Sequence, residues 1–126
     1  MSTENIGFSR SREAGEAMTD KQFYIVQLDA TGKIEVAEGA TDLIVGVLQN
    51  APGAGEQATY AFGGVAKVIS GGTIGVGAWV TTDGNGKAVA TTTDGDIVIG
   101  RFIGTAAAAS GDLVEVQLGI QHLYIA

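Results

Sequence analysis

Apolar and polar residues alternate with a period of two in the clearest segments of this chain. In "LVEVQL" (113–118), Val114, Val116 and Leu118 face one way, while Glu115 and Gln117 face the other. "YAF" (60–62) and "VAKVI" (65–69) follow the same rule. Four further apolar runs, Tyr24–Leu28, Leu43–Gln49, Trp79–Thr82 and Ile97–Ile103, are of strand length. No segment after Phe23 has helical periodicity, so the pattern predicts an all-β domain. Residues 1–22 differ, because Ile6, Phe8 and Met18 stand isolated among polar neighbours. "SREAGEAM" (11–18) offers a turn or two of helix at most, weakened by Gly15. This segment reads as a flexible N-terminal arm that orders on a partner, with Ile6, Phe8, Arg10 and Arg12 as its candidate contacts.

The body from residue 23 to 126 carries an internal repeat. A shift of 54 lays "YIVQLDATGK" (24–33) on "AWVTTDGNGK" (78–87), matching Val26 with Val80, Asp29 with Asp83, Gly32 with Gly86 and Lys33 with Lys87. The same shift lays "DLIVGVL" (42–48) on "DIVIGRF" (96–102), matching Asp42 with Asp96 and Gly46 with Gly100. At a shift of 56, "GEQATYAFGG" (55–64) falls on "GDLVEVQLGI" (111–120). Each copy reads as a short strand, an Asp-x-x-Gly-Lys hairpin turn, a return strand, an apolar strand broken by glycine, and an alternating strand. Asp bonds the backbone of its own turn, and Gly takes the positive φ that tight hairpins need. The expected architecture is a small compact β-barrel or sandwich-like domain. It has two repeated units, about 23–70 and 77–126, behind an extended arm of residues 1–22.

Composition narrows the partners. The 126 residues allow one domain, and 20 glycines against one proline fit a turn-rich β protein. The formal charge is −7, with four bases and ten acids from Phe23 onward, so a nucleic-acid partner is not expected. Cysteine is absent, which excludes disulfides and thiolate metal sites. The first 20 residues lack the apolar core of a signal peptide, and the longest strongly apolar run, "LIVGVL" (43–48), is too short to span a bilayer. A soluble protein made in the cytoplasm, with no membrane partner, is the expectation.

Candidate chemistry fails motif by motif. "GGTIGVGAWVTTDGNGKAVA" (71–90) looks like a phosphate loop, but the first glycine a P-loop needs would stand at Thr81 and its hydroxyl residue at Ala88. The dinucleotide fingerprint fails at Val80. His122 is the lone histidine and reads as an exposed strand residue, and "VISGGT" around Ser70 is no nucleophile elbow. "DGNG" (83–86) and "DGD" (94–96) resemble calcium loops, yet Lys87 stands where an acid belongs, and turn formation accounts for both. No catalytic residue, cofactor or metal is expected. Trp79, aligned with Ile25, reads as a core or subunit-contact side chain rather than a ligand-stacking one.

One family shares the pattern. "GGVAKVISGGTIGVGAWVTTDGNGKAVA" (63–90) and "IVIGRFIGTAAAASGDLVEVQL" (97–118) resemble phage capsid decoration, or capsid cement, proteins. The resemblance rests on Gly72–Val80, Asp83–Lys87, Ile99–Ile103, the alanine-rich Ala106–Ala109 turn and Gly111–Val116. Lambda-type head-decoration proteins are a looser functional analogy. The resemblance implies a structural protein on the outer surface of a phage head, often trimeric, that stabilises contacts between major capsid subunits without a cofactor. An arm such as 1–22 is longer than the family pattern, and the resemblance implies that such termini order on the shell. The alternatives are a head-fibre or carbohydrate-binding β module, with Trp79 or Tyr60 exposed, and a carboxylate-based hydrolase.

Overall fold

The computed structural model describes residues 5–104 and 108–122, and among them every regular element is a β-strand. These are β1 (Asn5–Glu13), β2 (Ile25–Leu28), β3 (Ile34–Val36), β4 (Ile44–Leu48), β5 (Gln57–Ile69), β6 (Trp79–Thr82), β7 (Ala88–Ala90), β8 (Ile97–Phe102) and β9 (Leu113–His122). The hairpins form at the Asp-x-x-Gly-Lys turns. Asp29 Oδ1 accepts from the Thr31 and Lys33 N–H groups at 2.8 and 3.0 Å, and Asp83 Oδ1 accepts from those of Asn85 and Lys87 at 2.8 and 2.9 Å. Gly32 and Gly86 turn the chain at φ 82° and 77°, where a side chain would be strained.

The described strands pair antiparallel, in the order β3-β2-β4-β5-β9-β8-β6-β7, with β1 also on β5. The 13-residue β5 joins the two halves. Ala61 pairs with both Ser9 and Val47, and Val65 with both Asn5 and Gln117. Hence β1 runs along one edge of β5, and β4 and β9 follow each other along the other. The sheet curls into a half-barrel, and its larger core includes Ile25, Val47, Val68, Ile74, Val80, Ile99 and Val116. A smaller cluster of Met18, Val26, Ile34, Leu48 and Tyr60 belongs to the first half.

The repeat is structural and longer than the sequence suggests. β6 and β7 occupy the positions of β2 and β3 plus 54. The arm expected at 1–22 is a correction: its described part lies in the chain's own fold. β1 pairs with β5 from Asn5–Val65 to Glu13–Gln57. At plus 56, the pairs from Ser9–Ala61 to Glu13–Gln57 become the β5–β9 pairs from Val65–Gln117 to Ile69–Leu113. The bridge Ala14–Ile34 likewise recurs as Ser70–Ala88. β1 is therefore the opening strand of the first unit, as the C-terminal half of β5 is of the second. The described units run from 5 and from 61, sharing β5, rather than 23–70 and 77–126. Two forces hold the segment without a partner: the backbone bonds to β5, and the burial of Ala14 and Met18, at 1% and 0% exposure. Polar side chains suit β1 because nearly all of them face solvent.

Candidate interaction surfaces

Four of the predicted contact residues share β1. Ile6 is half-buried against the larger core. Phe8 is 66% exposed, and its ring stacks on Phe62 at 5.9 Å and 16°, with Tyr60 beside Phe62 at 6.2 Å. Arg10 is exposed. Arg12 donates from Nη1 to the Gly32 carbonyl at 3.1 Å, and Glu13 pairs with Lys33 at 3.0 Å, tying β1 to the first hairpin turn. That exposed ion pair contributes little energy. The result is a surface strand with a supported aromatic ring and two guanidinium groups, one of them committed to the turn.

The fifth residue, Trp79, lies on β6 in the second unit. It is half-buried, and the Arg101 guanidinium lies 4.7 Å from its ring centroid while Arg101 Nε donates to the Gly77 carbonyl at 3.1 Å. Val76 and Ile103, 60% and 40% exposed, flank the pair along the chain. The first unit holds different residues at the matching places. Ile25 and Val47 are fully buried, and Gln22 Nε2 donates to the Gln49 carbonyl at 3.0 Å. Sequence reasoning found Trp79 but missed Arg101, Val76 and Ile103. The signal was present: at a shift of 54, Val47, Gln22 and Gln49 become Arg101, Val76 and Ile103, substitutions without a fold-level reason.

The residues weighed for chemistry have structural partners. Ser70 is buried and its hydroxyl donates to the Ala109 carbonyl. Asp83 Oδ1 is occupied by its own turn, and Asp96 Oδ2 accepts from Thr91 Oγ1 at 2.6 Å. Asp29 has its carboxyl pKa lowered, first by the Thr31 hydroxyl and then by the Lys33 N–H. His122 ends β9 opposite Ile97, and its side chain lies outside the described structure, as do Ala106 and Ala107 of the Ala106–Ala109 turn. A cleft of about 310 Å³ between the units is lined by Glu16, Lys21, Glu35, Glu38 and Asn85. Its acids have partners too. Glu16 accepts from the Val36 N–H at 3.0 Å, and Glu35 and Glu38 accept from Gln27 Nε2 at 2.7 and 3.2 Å. Among the described residues no three histidines or acids are grouped to hold a metal.

Comparison with known proteins gives the arrangement a context. No curated protein matches the chain. The structure of the head fiber gp8.5 N base of bacteriophage phi29 is similar in fold, with a TM-score of 0.63 and 22% identity over 94% of this chain and 98% of that one. The sequence profile of phage cement proteins matches residues 35–118, from β3 through most of β9. That span covers more than half of the chain, with the whole of β4 through β8, so the chain belongs to the phage cement protein family.

Proposed function

We propose that the chain binds the outer surface of a phage head as a homotrimer and stabilises contacts between neighbouring major capsid subunits. As a phage cement protein it binds the phage capsid and is part of the virion. The observation that carries the reading is the family match over residues 35–118. A formal charge of −7 fits the outside of a head, away from packaged DNA. Exposed Phe8 and Arg10 on β1 are the proposed shell contacts, since both project from a strand that the fold already holds in place. The role is structural, with no catalysis and no cofactor, nucleic-acid or membrane partner.

The test is to incubate the purified protein with DNA-free expanded heads, then measure pelleting and the temperature at which heads rupture. Saturable binding with a raised rupture temperature is expected. No binding at saturating protein overturns the proposal. A head-fibre base is the second reading, favoured by the fold likeness over 94% of the chain. It predicts binding at a small subset of head positions and no gain in heat resistance.

A further inference from the structure

The two units touch head to tail. The β6–β7 turn of the second unit sits on the start of β2 in the first, where the Ile25 N–H donates to the Gly86 carbonyl at 2.7 Å. Gly86 packs so closely that a Cβ there would lie 2.4 Å from Val36 Cγ1 and 3.0 Å from the Ile25 carbonyl. Beside it, the Ile97 N–H donates to the Ala40 carbonyl at 2.8 Å. A two-fold relation would return the favour by placing the Gly32 turn on β6. It does not, because a Cβ at Gly32 would meet only Arg12 Nη1, at 3.5 Å. The contact is therefore heterologous. Each unit has a seat at the start of its first hairpin strand and a plug made by its turn. Inside one chain, one plug fills one seat, which leaves a seat on the second unit and a plug on the first.

Both leftovers bear the marks of an unfilled contact. The Trp79 carbonyl accepts from the Thr91 N–H at 3.0 Å, as the Ile25 carbonyl accepts from that of Ala37 at 2.9 Å. Trp79 N–H therefore points to the same side as the Ile25 N–H that binds Gly86, and among the described residues no turn covers it. Covered Ile25 and Val47 are fully buried, whereas Trp79 is half-buried and Arg101 exposed. On the plug side, Gly86 is buried but Gly32 is half-exposed. Ile97 packs on the larger core, while its counterpart Leu43 is 61% exposed. Stacked repeats end in polar caps when nothing follows them. A tryptophan at one end and a leucine at the other are the reverse of capping.

We propose that a second copy of this chain fills the open seat, its Asp29–Lys33 turn and Leu43 packing on Trp79 and Arg101 as the Gly86 turn and Ile97 pack on the first unit. The Gly32 carbonyl that accepts from Arg12 has a second lone pair for the neighbour's Trp79 N–H. Every copy keeps one seat and one plug, so the contact propagates until it closes into a ring. In the proposed trimer, three chains give a ring of six units. The inference rests on the self-association in the reading above but not on the capsid. Its experiment contains no heads, so its failure leaves head binding standing, and loss of head binding leaves the ring standing.

Leu43→Glu spoils the plug and Trp79→Glu spoils the seat. Light scattering after size exclusion is expected to give three chains for the wild type and one for each variant. Mixed, the variants share one intact interface, Trp79 of the first with Leu43 of the second, and should form a one-to-one dimer. A wild type that is monomeric at every concentration, a variant that keeps the wild-type mass, or a mixture that stays monomeric overturns the ring. Circular dichroism checks that each variant folds. If one does not, an engineered pair decides. A Cβ at Gly84 would lie 3.8 Å from the Glu38 carbonyl, and the matching places across the proposed interface are Ala30 and Thr92. The chain has no cysteine of its own. Oxidised Ala30→Cys/Thr92→Cys protein should therefore run as linked multimers that reduction returns to single chains, and their absence overturns the ring.

Discussion

Gly86 and Gly32 occupy the same place in the two turns, so replacing each with alanine separates backbone strain from unit contact. Both sit at positive φ, 77° and 82°, where a Cβ costs about 1–2 kcal/mol. At Gly32 little else changes, since the nearest atom to the new methyl is the end of the Arg12 side chain at 3.5 Å. At Gly86 the methyl would press on Val36 Cγ1 at 2.4 Å and the Ile25 carbonyl at 3.0 Å. Overpacking of that kind adds about 1–3 kcal/mol. Gly86→Ala should therefore cost about 2–5 kcal/mol and Gly32→Ala about 1–2 kcal/mol. Subunit association makes apparent stability depend on concentration, so both changes belong in a Trp79→Glu background. Urea unfolding followed by circular dichroism gives the two midpoints. Equal losses would refute the reasoning, because the head-to-tail contact would then carry none of the difference.

Three further outcomes follow from particular residues. Met18→Ala should cost about 2–5 kcal/mol by urea unfolding, because Met18 is fully buried in the smaller core. An unchanged midpoint would restore the picture of a loose arm. Phe8→Ala should lose only the exposed stack on Phe62, about 0.5–1.5 kcal/mol, while weakening head binding in a pelleting assay; full head binding would remove Phe8 from the shell contact. The third concerns acid. The folded-state pKa of Asp29 is depressed, so its contribution is present above the unfolded value of about 3.9 and is lost as pH falls through the folded value. Thr31→Val removes the strongest cause of the depression, and its thermal midpoint should fall less steeply than that of the wild type below about pH 4. Identical slopes would show that the Thr31 hydroxyl does not set the acid response.

The hairpins and the duplication were legible because turn chemistry is local. Asp29 and Asp83 each bond within their own turn, and Gly32 and Gly86 need a φ that few other residues accept. The glycines that break β4 and β8 were legible as interruptions, though their cause was not. A Cβ at Gly46 would lie 2.2 Å from the Ala61 carbonyl, and one at Gly100 1.9 Å from that of Gln117, so neighbouring backbones forbid side chains there. β1 was hidden because its stabilisation comes from backbone pairing with residues about 50 positions away, while its own side chains carry no alternation. The trace it leaves is thin: at a shift of 56, the identities across it are Gly7 with Gly63 and Gly15 with Gly71. Arg101 and Leu43 were hidden for another reason. Their exposure has meaning only once it is known that the second unit covers the first and nothing described covers the second.

The most direct test of the capsid role is made on purified virions of the phage that encodes the chain. The protein should cosediment with intact heads, and protease added outside should remove it while the head stays closed and its DNA protected. Absence from the virions, or release only after the heads are opened, would contradict a cement protein on the outer surface.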